Sequence, residues 1–235
     1  FLANQYYPKV IVWYIGNKPR NYANRFNQWE KRKVEGNYVT RDIKMLENSD
    51  RLIALWNSQS KGTRRNIETF EKGEVKVLTY PINITYSEKG IGGALSINDK
   101  VSRQRGYIKS SYEVYYGNHT YECAIDLYQN EKIKKSFIDK LDPEKAYEEE
   151  ETWKEKEWIT KVMESKFISN PFLYEEVKLR GGEEWLITCR HIGDRRNSRK
   201  NKINWEGAGA SSNYIACLTE AFIRVDEIMT NKSKK

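Results

Sequence analysis

Residues 49–68 read SDRLIALWNSQSKGTRRNIE, and this stretch decides how the first part of the chain is interpreted. Leu52–Trp56 is a short apolar run, which predicts a strand buried on both faces. A polar loop, Asn57–Gly62, follows it, and Ser60 or Thr63 caps the next helix. Such a strand–loop–helix connection can cradle phosphate, because free N–H groups and the helix dipole favour an anion. A plain connection without a ligand is the alternative, and it stays open.

The composition is that of a globular protein with a polar, basic surface. The chain has 235 residues, a formal net charge of +8 and enough aromatic residues, including 7 Trp and 16 Tyr, to fill a core. No apolar run approaches the roughly 20 residues that span a bilayer, and no signal peptide is recognised. The three cysteines are widely spaced and form no metal or redox motif. We therefore expect a cytoplasmic protein without metal.

Further segments around the opening stretch predict alternating strands and helices. Val10–Ile15 and Gly73–Tyr80 predict strands, and Val39–Asn48 predicts a short helix. Strands that alternate with helices favour a parallel α/β sheet.

Residues 41–80 carry a resemblance to a known domain. The stretch RDIKMLENSDRLIALWNSQSKGTRRNIETFEKGEVKVLTY resembles the second half of a SLOG-type Rossmann domain, the group of the LOG and DprA-like nucleotide-binding proteins. The positions that fit are Arg41, Met45, Asp50, Trp56, Ser60, Gly62 and Thr63. The family's first strand and glycine-rich loop have no counterpart, so the resemblance implies an incomplete α/β Rossmann-like domain over residues 1–80. It implies ligand-binding roles for Asn57, Ser60, Gly62 and Thr63.

The composition of the middle of the chain changes twice, from Gly-rich to aromatic and then to highly charged. Residues 81–106 include EKGIGGALS and predict a Gly-rich connector. Tyr107–Tyr116 predicts a strand that ends in a Gly117-Asn118 turn, and Thr120–Gln129 predicts a helix. Residues 131–157 are highly charged and predict an exposed helical insertion, either a solvated helix or a projection that binds a partner.

The C-terminal part has the hydrophobic periodicity of core helices. Trp158–Phe167 and Phe172–Leu179 predict helices, whereas EWLITCRH, residues 184–191, predicts a strand. A final helix is predicted with a buried stripe of Leu218, Ala221, Phe222 and Val225.

Four blocks in this part carry a second resemblance. They are YYGNHTYECAIDLYQ, VMESKFISNPFLYEEV, EWLITCRH and WEGAGASSNYIACLTEAF. In this order they are similar to the NADAR family, small α+β proteins tied to NAD and ADP-ribose chemistry, several of them N-glycosidases. Matching positions are Gly117, Gln129, Lys166, Phe167, Asn170, Pro171, Leu173, Trp205, Gly207, Gly209 and Asn213. The resemblance implies an α+β NADAR-like domain over residues 107–235, with ligand contacts from Trp205 and Asn213.

The catalytic positions of that family are not kept. N-glycosidase chemistry needs a carboxylate at the oxocarbenium-like centre and an acid for the leaving base. The resemblance places Ile125 and Lys202 where the family has carboxylates. Asp126 and Glu206 lie next to these positions and are the candidates to replace them. A shift of one residue on a helix turns a side chain by about 100°, so Asp126 should not point where the family carboxylate does. We therefore lean towards a protein without catalysis.

A basic run marks a candidate contact surface for an acidic protein or an anion. Its residues are Arg190, Arg195, Arg196, Arg199, Lys200 and Lys202. The alternative is a solvated loop.

Taken with the two resemblances, these features lead to a catalytically degenerate binding protein. The families imply a phage or mobile-element anti-defence protein in the host cytoplasm, which inhibits a bacterial immune complex such as Gabija by protein binding or by sequestering a nucleotide-type ligand. The alternative is an active N-glycosidase or hydrolase on an ADP-ribose or NAD-related metabolite. Nucleic-acid binding ranks lower, because the aromatic residues are not interleaved with the basic run. A membrane role is not expected, and homo-oligomerisation stays open.

Overall fold

The computed structural model of the chain describes residues 11–17, 29–56, 60–142, 150–192 and 205–233. The chain divides into two compact units, Phe1–Leu78 and Thr79–Lys235. Both combine helices with short strands, so the mixed α/β class is confirmed. Within the described ranges the strands form four separate two-stranded pairs, and the predicted single parallel sheet is not seen.

The first unit begins with a parallel strand pair. Strand β1, Ile11–Tyr14, pairs with β2, Glu30–Lys33, in the register that sets Ile11 beside Glu30. The prediction of a strand at β1 is confirmed. Strand β2 was not predicted, because its sequence, EKRK, lacks the apolar residues that signal a strand.

The rest of the first unit forms the elements that its sequence predicts. They are helix α1, Tyr38–Glu47, strand β3, Leu52–Trp56, helix α2, Lys61–Thr69, and strand β4, Val75–Thr79. Strands β3 and β4 are neighbours in one sheet.

Strand β3 is buried on one face only, so its predicted burial on both faces is wrong. Ala54 and Trp56 are buried, whereas Ile53 and Leu55 are 63% and 78% exposed. Successive side chains of a strand point to opposite faces. In the described part of this unit, helix α2 packs against β3 and the face of Ile53 and Leu55 stays open.

The predicted Gly-rich connector belongs to the core of the second unit. It contains helix α3, Ile91–Ala94, and helix α4, Asp99–Gln104, and Leu95 between them is fully buried. The glycines serve close packing rather than flexibility. A Cβ atom on Gly93 would lie 2.3 Å from the Glu88 carbonyl oxygen.

A β-hairpin follows this segment. Strand β5, Val114–Tyr116, pairs antiparallel with β6, His119–Tyr121, through the predicted turn, where Gly117 has a φ of 58°. The strand is shorter than predicted. The predicted helix from Thr120 begins only at Ala124, because His119–Tyr121 complete the hairpin first.

The helices of the second unit continue the chain after the hairpin. They are α5, Ala124–Tyr128, α6, Glu131–Ile138, α7, Glu150–Ser169, α8, Pro171–Leu179, α9, Gly182–Leu186, and α10, Asn213–Ser233. Helices α7 and α10 pack along each other and carry much of the core. The predicted buried stripe of α10 is confirmed, since each of its four residues is buried.

The predicted strand over residues 184–191 is wrong for most of its length. Gly181 and Gly182 have φ angles of 114° and 58°. They end helix α8 and allow a new helix, α9, to begin at Gly182. Only Arg190–His191 is extended, as strand β7, which pairs antiparallel with β8, Gly207–Ala208. Ile187 lies in the turn after the helix despite its β-branched side chain, since tertiary context overrides such a weak propensity.

Candidate functional site

In the predicted phosphate loop of the first unit, polar groups of the loop form hydrogen bonds with each other. Ser60 is the N-cap of α2, and its hydroxyl accepts hydrogen bonds from the backbone N–H of Thr63 at 3.3 Å and from the Thr63 hydroxyl at 3.0 Å. The position of Gly62 is open, since a Cβ atom there would have no neighbouring atom within 4 Å. Asn57 lies outside the described residues. The helix start is therefore already capped by the chain itself.

The predicted ligand contacts of the second unit surround the start of α10. Trp205 is half-buried against the core, and its carbonyl oxygen accepts a hydrogen bond from the Ser212 hydroxyl at 2.7 Å. The same hydroxyl accepts from the Ile215 N–H at 3.2 Å, so Ser212 caps the helix. Asn213, the first helical residue, is half-buried. These positions hold the helix entry in place.

The two candidate carboxylates lie in different surroundings. Asp126, in the first turn of α5, accepts a weak hydrogen bond from the Cys123 thiol at 3.5 Å. Glu206 is half-buried, and its charge acts on His191. Burial lowers the pKa of His191, and Glu206 opposes that shift. The Tyr128 hydroxyl donates to Glu155 on α7.

Of the six residues in the basic run, the structure describes only the first, Arg190. Arg190 is exposed in strand β7, where its backbone pairs with Ala208 and forms an isolated bridge to Asn83. The others, Arg195, Arg196, Arg199, Lys200 and Lys202, lie outside the described residues.

A buried ion pair lies at the position that the NADAR resemblance marked. Lys166 of α7 is fully buried, and its Nζ donates to Asp99 Oδ1 at 2.7 Å and to the Ser96 carbonyl oxygen at 2.8 Å. The Tyr112 ring centroid is 5.4 Å from the same nitrogen. Burial lowers the pKa of Lys166, while Asp99 favours its charged form. The pair ties the Gly-rich segment to α7.

The three thiols are chemically quiet. Cys123, Cys189 and Cys217 are buried and unoxidised. Burial raises the pKa of each thiol to about 11, so the reactive thiolate is scarce at neutral pH.

An open cleft lies between the β5–β6 hairpin and helix α6. Its volume is about 640 Å³, within the range of small-molecule sites. Trp158 of α7 joins the two walls: its ring centroid is 6.2 Å from that of Tyr116 on the hairpin and 5.3 Å from that of Phe137 on α6. The cleft is lined by Tyr116, Gly117, His119, Thr120, Tyr121, Asn130, Lys132, Ile133, Ser136, Phe137 and Lys140.

The lining of this cleft carries one sign of charge. Among its described residues none is Asp or Glu, and it contains two lysines, Lys132 and Lys140. Both lysines are exposed, and neither forms an ion pair with any residue that the structure describes. Low-dielectric walls lined by one sign of charge concentrate the field and attract the opposite ion. The cleft can therefore bind an anion that also carries a ring.

Sequence reasoning missed this cleft because its two walls come from separate segments. The hairpin supplies rings, and α6 with the turn after it supplies two lysines from a stretch interpreted as a charged insertion. A signal was present in the spacing of Lys132 and Ser136, four residues apart, which places them on one helix face.

Comparisons with protein-family models, with curated proteins and with solved structures returned no match, so the SLOG and NADAR resemblances stay predictions. Among the described residues no group of His, Cys, Asp and Glu could hold a metal ion. None of the described helices combines the length and apolar character needed to cross a membrane.

Proposed function

We propose that this chain is a binding protein that holds an anionic, nucleotide-type ligand in the hairpin cleft and leaves it chemically unchanged. The observation that carries this proposal is the lining of the cleft, which combines ring surfaces with Lys132 and Lys140 and includes no described carboxylate. Rings can stack on a base, and lysines can pair with phosphate.

The positions of the candidate acids support binding without turnover. Hydrolysis of an N-glycosidic bond needs a carboxylate beside the reacting carbon. Asp126 and Glu206 are both absent from the cleft lining, and each interacts elsewhere, with Cys123 and with His191. A ligand in this cleft would thus meet cations and rings but no described carboxylate.

Such a protein would serve as a sink for a nucleotide signal or as an inhibitor that docks on a bacterial immune complex. Sequestration of a nucleotide is favoured by the cleft, whose lining combines rings with lysines. Docking on an acidic partner surface is favoured by the net charge of +8 and by the exposure of Arg190 at the start of the basic run.

Calorimetric titration of the full chain with ADP-ribose and with NAD tests the proposal, with chromatography of the mixture afterwards. We expect binding and intact ligand. In Lys140→Glu, which reverses one charge of the cleft, we expect affinity to fall by about tenfold or more, since pairs between a charged donor and phosphate are among the stronger hydrogen bonds. Lys135→Glu is the matched control, because Lys135 lies on the same helix but not in the lining.

Two outcomes would contradict the proposal. Release of nicotinamide or of another base would identify an enzyme, and loss of that activity in Asp126→Asn or in Glu206→Gln would then identify the acid. Absence of binding by every nucleotide tested would leave the protein partner, which a pull-down against purified immune complexes would examine.

A further inference from the structure

Helix α6 and the turn that follows it present two different rows of side chains to the cleft. Lys132, Ser136 and Lys140 are four residues apart and exposed, whereas Ile133 and Phe137 are half-buried beneath them. Lys132 and Ser136 lie above one another on one face of α6, because residues spaced by four share a helix face, and Lys140 follows in the turn after the helix. The result is a polar row along the rim and an apolar row along the floor.

The two rim lysines lie at opposite ends of the polar row. Lys132 is in the first turn of α6, the last helical residue, Ile138, lies about 9 Å of helical rise further along, and Lys140 is two residues beyond it. The hydroxyl of Ser136 lies between them and can donate to a further oxygen. A ligand that uses the whole row carries anionic groups at both of its ends.

The hairpin wall offers ring surface opposite this row. Tyr116 and Tyr121 are half-buried, and Tyr121 accepts a hydrogen bond from the Asn130 side chain at 3.4 Å, which steadies its ring. His119 is exposed at the edge. Gly117 at the hairpin turn has no atom within 4 Å of a Cβ position, so ligand can approach the backbone there.

Helix α6 is braced so that the lysine row faces outward. Lys134, on the opposite side of the helix, pairs with Glu155 of α7 at 2.6 Å, and its Nζ lies 5.3 Å from the Tyr128 ring centroid. Glu155 also accepts from the Tyr128 hydroxyl. Glu155 therefore neutralises Lys134, and neither Lys132 nor Lys140 has an ion pair with a described residue.

We infer that the ligand of this cleft is a short single-stranded nucleic acid, with a base against the rings and successive phosphates along the row of Lys132, Ser136 and Lys140. This inference rests on the proposed function and narrows its ligand class. A mononucleotide has its charge at one end and uses one end of the row. A strand uses both ends, and its base can stack on any ring, because every base has a π-face.

Fluorescence anisotropy with a labelled oligothymidylate of about ten nucleotides tests the inference on the full chain. Thymidine monophosphate and AMP serve as competitors. We expect the oligonucleotide to bind about tenfold or more tightly than either mononucleotide. The double variant Lys132→Ser with Lys140→Ser should bind at least about tenfold less tightly and reduce the salt slope by about 0.7 for each lysine. Lys135→Ser, at an exposed position off the cleft, should match the wild type.

Each other outcome overturns the inference in a recognisable way. Mononucleotides that bind the cleft as tightly as the oligonucleotide would overturn it and leave the proposed function standing. Absence of binding by both would overturn both. Oligonucleotide binding that is unchanged in the double variant would place the nucleic acid elsewhere on the chain. Polyglutamate that binds the cleft as tightly as the oligonucleotide at equal charge concentration would show that charge without bases is sufficient, and it would overturn the choice of a nucleic acid.

Discussion

Lysines of the second unit occupy two opposite environments. Lys166 is fully buried, and its ammonium group bonds to Asp99 and to the Ser96 carbonyl oxygen. Lys132 and Lys140 are exposed on the rim of the hairpin cleft, and neither pairs with a described acid. The same residue type thus fixes the fold in one place and remains available to a ligand in the other.

The difference between the buried and the exposed lysines bears on how a match to a family pattern is interpreted. Lys166 lies at a position that the NADAR resemblance marks, and in this structure it holds the Gly-rich segment against α7. The two rim lysines belong to no predicted motif. In this structure the contacts of Lys166 stabilise the fold, so its match to the predicted family pattern does not by itself indicate a binding site.

The largest effect is expected from removal of the buried cation. Lys166→Met leaves Asp99 as a buried charge whose Oδ2 already has no hydrogen-bond partner among the described residues. We expect the free energy of unfolding to fall by about 3–5 kcal/mol, the usual result of breaking a buried pair. Urea denaturation followed by circular dichroism measures it.

Two further variants test whether the uncompensated charge of Asp99 causes the loss of stability. Lys132→Met should change the free energy of unfolding by less than about 0.5 kcal/mol, because its side chain is exposed. The double variant Asp99→Leu with Lys166→Met should recover much of the loss, since apolar replacement of a whole buried pair is often neutral. A double variant as unstable as Lys166→Met alone would show that the uncompensated charge is not the cause.

A middle-sized effect is expected at Glu155, between the two environments. Glu155→Gln removes the charge that holds Lys134, at a site where both side chains are about one-fifth exposed. We expect a loss of about 1–3 kcal/mol in the free energy of unfolding, typical of hydrogen bonds to charged groups. Oligonucleotide affinity should fall as well, because helix α6 loses its anchor.

Glu164→Gln is a comparison for the Glu155 variant, since its acid pairs with Lys161 on the same helix at 2.8 Å, away from the cleft. It should lower stability without a specific loss of affinity. Equal affinity losses in both variants would count against a positioning role of Glu155.

A smaller effect is expected from the cap of α2 in the first unit. Ser60→Ala removes the acceptor for the Thr63 N–H, and loss of such a cap costs about 1 kcal/mol. Ligand affinity should not change, because the Ser60 hydroxyl already accepts a hydrogen bond within its own helix. In the same way, the Lys166 ammonium group is already bonded within the core. Scanning calorimetry and titration on one sample measure both quantities, and a loss of affinity would instead support the predicted phosphate loop.

The smallest effect is a pH dependence at His191. Its pKa in the folded protein is lowered below the ordinary value of 6.5, chiefly by burial against Tyr214, with Glu206 opposing the shift. The unfolded chain then binds more protons as the pH falls through 6.5, so stability is complete above that pH and declines below it. Urea midpoints between pH 7.5 and pH 5.5 measure this decline.

His191→Gln should flatten that decline. His119→Gln, at the other histidine of the chain, should leave the decline as it is in the wild type, because His119 is exposed. Parallel curves for the wild type and for His191→Gln would contradict the assignment.

Much of the helical structure could be predicted because it follows apolar periodicity. The stripe of α10 and the Trp158–Phe167 part of α7 are buried as their spacing predicts. The strand predicted over residues 184–191 failed, because two glycines with positive φ decide the local conformation there, and a sequence pattern gives no φ. The connector prediction failed for a related reason, since its glycines permit close approach of backbone to backbone.

The candidate site could not be predicted because no single segment contains it. Tyr116 and Phe137 both pack against Trp158, which lies on a third element. Asp99 was also missed, because its buried contact with Lys166 joins residues that lie 67 positions apart. Local patterns report on local structure, whereas both of these sites depend on tertiary packing.

The state of the cysteines makes this chain convenient for site-directed labelling. Its three thiols are buried, and each has a pKa near 11, so maleimides should react slowly with the native protein. A cysteine placed on the surface, for example by Lys135→Cys, would then be the preferred attachment point for a dye. Fluorescence from that position would follow occupancy of the neighbouring cleft without any change to the native thiols.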